Sequence, residues 1–203
     1  PNAFKFSGFN KIEVDKNNLN YTSINGVLFS KDKTVLFAYP KENSATSYII
    51  PDGVKIIEST AFMGASNLNN IVIPDGVTTI KENAFYLWSN LKNVSIPTSV
   101  KSIGRDAFDF SVCSKVNNGY YISNCLIGAD NEINGNFTIK DGTRLVADSA
   151  LRGIENLESI TIPASVEIIG DCALLNFSID GKLKSITVSK ANKNFSSENG
   201  VLF

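Results

Sequence analysis

The sequence predicts a β-rich repeat solenoid, and three observations carry that expectation. A proline recurs at a 23-residue step, as Pro51, Pro74 and Pro97. The same neighbours return with it: Ile50-Pro51-Asp52-Gly53-Val54 then Ile57 and Ala61-Phe62, Ile73-Pro74-Asp75-Gly76-Val77 then Ile80 and Ala84-Phe85, and Ile96-Pro97 then Val100, Ile103 and Ala107-Phe108. Fixed periods of about 20–50 residues belong to stacked-repeat architectures. Lastly, one repeat buries about six apolar side chains at roughly 1.5–3 kcal/mol each, whereas ordering its backbone costs roughly 1–2 kcal/mol per residue. Only stacking against neighbours closes that deficit.

The elements follow in order. Phe9-x-x-Ile12-x-Val14 opens the chain, and Leu68-x-x-Ile71-x-Ile73 and Leu91-x-x-Val94-x-Ile96 repeat it. Their period of two is that of a β-strand. Each proline follows the last inward residue, where a missing N–H does no harm to a ladder. Asp-Gly or Thr-Ser then turns the chain. A second short extended piece, Val77 to Ile80, returns behind the first, and Ala84-Phe85 begins a tight turn or short 3₁₀ segment. Two further copies use Ile139-Lys140 and Ile162-Pro163, with inward Leu145, Val146 and Ala150-Leu151, then Val166, Ile169 and Ala173-Leu174. Leu157-x-x-Ile160-x-Ile162 and, after an extension near Asp180-Gly181, Leu183-x-x-Ile186-x-Val188 complete the strand series.

A second unit interrupts the first. Val27-Leu28-Phe29 and Val35-Leu36-Phe37, joined across Lys31-Asp32-Lys33, predict a β-hairpin. Ser197-Glu198-Asn199-Gly200-Val201-Leu202-Phe203 repeats it at the chain's end, and Tyr121 to Asp130 is a degenerate copy. Hairpin-bearing units are thus expected near 12–47, 117–136 and 186–203, within one solenoid over 1–203. These hairpins are expected to stand off the rod, with Tyr39-Pro40 and Tyr120-Tyr121 among them. The chain begins Pro-Asn-Ala-Phe, without Met or a signal peptide's pattern. It is expected to be a piece of a longer protein that continues beyond Phe203.

Composition excludes several classes. Net charge is −1, which argues against nucleic acid and anionic membrane as partners. No apolar run reaches the ~18–20 residues of a membrane span. There is no histidine, and Cys113, Cys125 and Cys172 form no CxxC pair, so a Cys/His zinc site is not expected. The cysteines are expected as buried free thiols, with a Cys113–Cys125 disulfide as the alternative. Without histidine, Ser-His-Asp and Cys-His arrangements are excluded within the chain. No phosphate-binding glycine loop and no EF-hand-like run is present. Asp52 and Asp75 beside glycine suit turn hydrogen bonds, and Glu42, Glu58 and Glu82 are expected in solvent. No catalysis and no cofactor are expected.

These residues resemble the BspA-like, Treponema-type, leucine-rich repeats, whose unit is similar to L-x-x-I-x-I-P-x-x-V-x-x-I-x-x-x-A-F with an inserted D-x-N-N…N-G-V-L-F hairpin. The resemblance covers nearly the whole chain. It implies a right-handed leucine-rich-repeat superhelix with a parallel sheet, short 3₁₀ turns and inserted hairpins. It also implies an extracellular or cell-surface setting, often in host-associated bacteria, with an adhesin-like role. The family's small residue or Cys three places after Ala-Phe is replaced here by Ala65, Trp88, Ser111, Ile154 and Phe177, and the stretch from Phe108 to Phe137 departs most.

In such a coil the strand residues between the inward ones face outward. That puts Lys11 and Glu13, Ser47 and Ile49, Asn70 and Val72, and Asn93 and Ser95 on one face. Asn136 and Thr138, Ser159 and Thr161, and Ser185 and Thr187 continue it. The face is either a solvated sheet with cross-strand polar pairs or a flat platform for a protein or glycan ligand. It lacks the aromatic and Arg anchors of tight interfaces, so binding is expected to be weak per module and strengthened by copy number. Tyr86 and Trp88 are the second candidate. Trp88 either fills the core or joins Tyr86 in an exposed pair that stacks on a sugar. A purely structural spacer is the rival function, and edge-to-edge self-association is expected of uncapped ends.

Overall fold

The computed structural model describes residues 8–88, 90–175 and 182–203. The chain forms two compact units, residues 1–112 and 113–203. The extension near Asp180-Gly181 and Phe177 lie outside the described residues.

In the first unit the strands are β1 (Tyr21–Ile24), β2 (Val27–Ser30), β3 (Val35–Ala38), β4 (Ser47–Ile49), β5 (Ile56–Ile57), β6 (Asn70–Val72), β7 (Thr79–Ile80) and β8 (Ser102–Ile103). β4 and β6 pair in parallel, and Asn70 bridges to Asn93 in the next coil. This is the front sheet. Behind it, β3, β5, β7 and β8 form a parallel back sheet with Leu36, Ile57, Ile80 and Ile103 in register and buried. Each coil crosses from front to back through a turn closed by the Pro carbonyl, as in Val77 N–H to Pro74 O at 3.4 Å and Val100 N–H to Pro97 O at 3.1 Å. Gly53 and Gly76 hold φ of 94° and 103° at the third position of these turns, a conformation that glycine adopts without steric cost.

Identical side chains stack because successive coils are in register. Phe62, Phe85 and Phe108 form a column with centroids 5.1 and 4.9 Å apart and planes within 18° of parallel. That separation matches the ~4.8 Å spacing of paired strands, so the coil repeat itself sets the stacking distance. Ala61, Ala84 and Ala107 are buried beside the column, and Ile73 and Ile96 are buried at the ends of the front strands.

The second unit repeats the plan. Its strands are β9 (Ser114–Val116), β10 (Gly119–Ile122), β11 (Cys125–Ala129), β12 (Gly135–Thr138), β13 (Leu145–Val146), β14 (Leu157–Ile162), β15 (Ile168–Ile169), β16 (Ser185–Val188), β17 (Ser197–Glu198) and β18 (Val201–Leu202). The front sheet is β12-β14-β16, parallel throughout. The back sheet runs β15-β13-β11-β10-β9. Ile162 is fully buried. The periodicity therefore places the front and back strands from Ser47 onward. Phe9 to Val14, however, forms no strand, and Leu91 to Ile96 keeps only the Asn93 bridge. Phe9 is exposed, and Ile12, Val14, Val94, Ile169, Leu174 and Ile186 are half-buried. Regular 3₁₀ structure is confined, among the described residues, to Phe110–Val112; the other Ala-Phe segments make hydrogen-bonded turns.

The hairpins differ from expectation. The hairpins of the first two hairpin-bearing units do not stand away from the coils but extend the back sheets edgewise, whereas β17 and β18 pair as a separate two-stranded sheet. β3 is at once the second arm of the β2–β3 hairpin and the first rung of the parallel back sheet. In the second unit β11 does the same between β10 and β13. Val27, Leu28 and Phe29 are consequently buried, as are Tyr39 and Tyr121. Tyr39 packs on Phe62 and Tyr48 at 5.2 and 5.0 Å. The Tyr121 hydroxyl accepts the Lys140 N–H at 3.1 Å. An extra strand also precedes each hairpin: β1 pairs with β2 across Asn25-Gly26, and β9 with β10 across Asn117-Asn118. Both residues of each turn have positive φ, the signature of a two-residue hairpin turn.

Candidate binding face

The front strands alternate as required: Asn70 and Val72 point out while Ile71 points in, and Asn136 and Thr138 flank buried Phe137. In the first unit the outward set is Ser47, Ile49, Asn70, Val72, Asn93 and Ser95, all exposed. Ile49 pairs with Val72, and these two are 69% and 52% exposed, so they form a small apolar island. Asn93 Nδ2 donates to Asn70 Oδ1 at 3.1 Å. Lys11 and Glu13, expected on this face, lie outside the named strands. Their segment is held by the Ile12 N–H to Gly26 O bond, and they pair with each other at 2.8 Å. That contact raises the Lys11 ammonium and lowers the Glu13 carboxyl from their ordinary values.

In the second unit the outward residues form two files. One is Asn136, Ser159 and Ser185; the other is Thr138, Thr161 and Thr187; both are in parallel register. Ser159 Oγ donates to Asn136 Oδ1 at 2.7 Å. Ser159 and Ser185 are half-buried and the other four exposed. Lys184 and Glu158, one residue before each outward Ser, pair at 3.4 Å. The face itself thus carries hydroxyls and amides and no formal charge.

The aromatic candidate resolves differently for its two members. Tyr86 is 38% exposed, but Trp88 is 0% exposed. Its indole N–H donates to Leu68 O at 2.8 Å, and its ring stacks on Phe62 and Phe85 at 5.8 and 5.5 Å. The exposed Tyr86–Trp88 pair is therefore corrected: Trp88 fills the core, because the place three after Ala-Phe points inward, as buried Ala65 and Ile154 show. The neighbour of Tyr86 at the surface is Leu87, 50% exposed at φ 57°, where other coils use Gly64 and Gly153 at φ 72° and 76°.

Sequence reasoning missed one polar trio. Tyr120, half-buried on β10, donates its hydroxyl to Asp130 Oδ1 at 2.5 Å, and Lys115 pairs with the other carboxylate oxygen. These bonds hold Asp130 below the usual carboxylate range, Lys115 contributing most. Glu58 was also misplaced: it is buried and pairs with Lys81 of the next coil at 2.5 Å. Cys113, Cys125 and Cys172 are in no disulfide, and Cys113 is half-buried rather than buried as expected. Cys125 is buried, which pushes its thiol up to about 11, but Cys172 is exposed, contrary to expectation. Among the described residues no three His, Cys, Asp or Glu side chains gather as metal ligands, and no helix is long and apolar enough to cross a membrane.

The BspA type leucine rich repeat region matches residues 33–128 and 129–199 in six copies, and the chain belongs to that family. Three solved structures share the fold. The pneumococcal vaccine antigen PcpA superposes with a TM-score of 0.52 at 24% identity, over 95% of this chain and 44% of that one. A leucine-rich repeat protein from Eubacterium ventriosum gives 0.50 at 25% identity, over 96% and 57%. A leucine rich cell surface protein from Faecalibacterium prausnitzii gives 0.50 at 25%, over 91% and 44%. The chain thus spans about half the length of these three structures. No curated protein matches it in sequence.

Proposed function

We propose that this chain is the repeat region of a non-enzymatic cell-surface protein, and that its front-sheet faces bind a protein or glycan ligand in an adhesin-like role. The single observation behind this reading is the pair of uncharged Asn/Ser/Thr files on β12, β14 and β16, with the exposed Ile49–Val72 island on β4 and β6. A flat array of hydroxyls and amides suits the hydroxyl-rich surface of a neutral glycan or the backbone of a protein better than it suits a charged ligand. The cell-surface label of the Faecalibacterium prausnitzii protein supports the location. On this reading the repeats form one array over 1–203, with many weak contacts acting together. The test is binding of a folded chain to glycan and host-protein arrays, beside variants in which Thr161 and Val72 are replaced by Lys. Reproducible binding that both substitutions weaken supports the proposal; no binding, or binding indifferent to both, overturns it.

A structural spacer is the second reading. It is favoured by rungs that hydrogen-bond to one another, Asn93 to Asn70 and Ser159 to Asn136, and by a face without Trp or Arg anchors.

A further inference from the structure

One edge of the first unit carries exposed apolar side chains that the coil does not need. It is the turn after each Ala-Phe pair. Two files run along it at steps of 23 residues: Met63, Tyr86 and Asp109, and Lys41, Gly64, Leu87 and Phe110. Inter-coil bonds keep them in register, for the Gly64 N–H donates to Tyr86 O at 3.2 Å and Phe85 bridges Phe108. Tyr86, Leu87 and Phe110 are 38%, 50% and 40% exposed, and Met63 is half-buried. In the second unit the coil with Ala150-Leu151 has Arg152 and Gly153 in the matching places. Leu87 takes φ 57°, where Gly64 and Gly153 take 72° and 76°. A residue with a Cβ enters that region only at a steric cost, and half of this side chain still lies in water.

The strip also has a charge of opposite sign at each end. Lys41 lies at one end with its stem along Gly64: a Cβ on that glycine would lie 3.5 Å from Lys41 Cε. Asp109 lies at the other end, three coil steps or about 14 Å away. Its Oδ1 accepts the Ser111 N–H at 2.9 Å. A strip that is positive at one end, apolar in the middle and negative at the other complements itself when turned end for end. A two-fold axis between the Gly64 and Leu87 coils sets Lys41 against the partner's Asp109. The same axis sets Leu87 over the partner's Gly64, which has no side chain to obstruct it. Tyr86 then meets the partner's Met63, and sulfur against an aromatic ring is a favourable contact.

We propose that this strip joins two copies of the chain side by side and antiparallel, as a reversible dimer. A two-fold contact uses the same patch on both copies and closes at two. Association through open strand ends uses other residues and grows into longer chains. The strip is short, so the dimer belongs to the weak, transient class of interface. This inference is independent of the binding role proposed above.

Sedimentation velocity of the 203-residue chain from about 10 μM to 1 mM tests it, a range suited to weak interfaces. A monomer–dimer equilibrium is expected. Leu87→Gly relieves the backbone and removes the central apolar side chain. It is expected to leave Tm unchanged or higher while raising the dimer dissociation constant about tenfold or more. Lys41→Glu sets like charges together and is expected to weaken the dimer by about as much at low salt. Adding Asp109→Asn, which keeps the acceptor for the Ser111 N–H and removes the repelling charge, is expected to recover most of that loss. An unsubstituted chain that forms no dimer overturns the proposal, as does a Leu87→Gly chain that associates like the unsubstituted one. A Leu87→Gly chain that loses stability overturns it too, because leucine then serves the coil itself. So does an Asp109→Asn that recovers nothing.

Discussion

One residue in each coil sits in the left-handed region of backbone space, and its identity relieves the strain in only some of the coils. Nine places after the proline position stand Thr60, Asn83, Asp106, Ser149 and Cys172, and all have φ between 53° and 62°. The reason is inter-coil bonding: in this conformation the N–H of Thr60 reaches Glu82 O at 3.2 Å and that of Ser149 reaches Asp171 O at 2.9 Å. Asparagine tolerates the left-handed region, but a β-branched residue there costs roughly 1–2 kcal/mol. Thr60→Asn is accordingly expected to stabilise the fold by about 1 kcal/mol, read as a rise of about 2–4 °C in Tm. A second residue-scale prediction concerns Asp148. Burial raises its carboxyl above the ordinary value, and the nearby Asp171 adds to this, against the Asp171 N–H that Oδ1 accepts at 2.9 Å. A raised folded value means that the protonated form suits the fold. That contribution is complete below the ordinary aspartate range and is lost as pH rises through the folded value. Asp148→Asn keeps the acceptor without the charge, so its gain in urea-unfolding stability is expected at neutral pH and should vanish in acid.

At the scale of the element, the coil's dimensions rest on two kinds of close contact. The phenylalanine column is one. Phe85 touches Phe62, Phe108 and Trp88, so Phe85→Ala opens a cavity in the middle of the stack and is expected to cost about 3–5 kcal/mol. Phe85→Leu, which copies Leu151 in the second unit, should cost much less. Chemical denaturation of the two variants side by side checks the ordering. Glycine supplies the other contact. A Cβ on Gly104 would lie 2.8 Å from the Lys81 carbonyl carbon and closer still to the Glu82 nitrogen. Both are backbone atoms of the preceding coil, which cannot rotate away. Gly104→Ala is expected to destabilise by about 1–3 kcal/mol, as overpacking does, although its backbone conformation is open to alanine.

For the whole molecule, stability and association follow from nearest-neighbour contacts between coils. Any coil without a neighbour exposes strand edges and part of its apolar interior. Leu19, Val201 and Phe203 are 86%, 55% and 67% exposed. Edge-to-edge association at high protein concentration is therefore expected. Light scattering across a concentration series measures it, and a strict monomer at millimolar protein contradicts it. If the front faces bind a ligand as proposed, doubling the number of coils should strengthen apparent affinity far more than any one substitution on a face weakens it.

The sequence alone determined the coil, its period and its inward residues, because a parallel in-register stack forces the same apolar positions to recur at each step. Ile57, Ile80 and Ile103, and Phe62, Phe85 and Phe108, were legible for that reason, as was the outward alternation of Asn70, Val72, Thr138 and Thr161. Local turn chemistry was legible only in part: Asn25-Gly26 signals the β1–β2 turn, but the longer Lys31-Asp32-Lys33 connection drew attention to β2–β3 instead. Tertiary structure decided the rest. A hairpin's own residues do not state whether its outer arm is free or is adopted as a rung, and β3 became a rung because β5 offered an edge beside it. The burial of Trp88, the pairing of Glu58 with Lys81 and the grip of Asn192 on Pro163 and Val166 share one cause. Each depends on which coil lies one step along the stack, 20 to 29 residues away in sequence, and proximity across that step arises only when the coils close on one another.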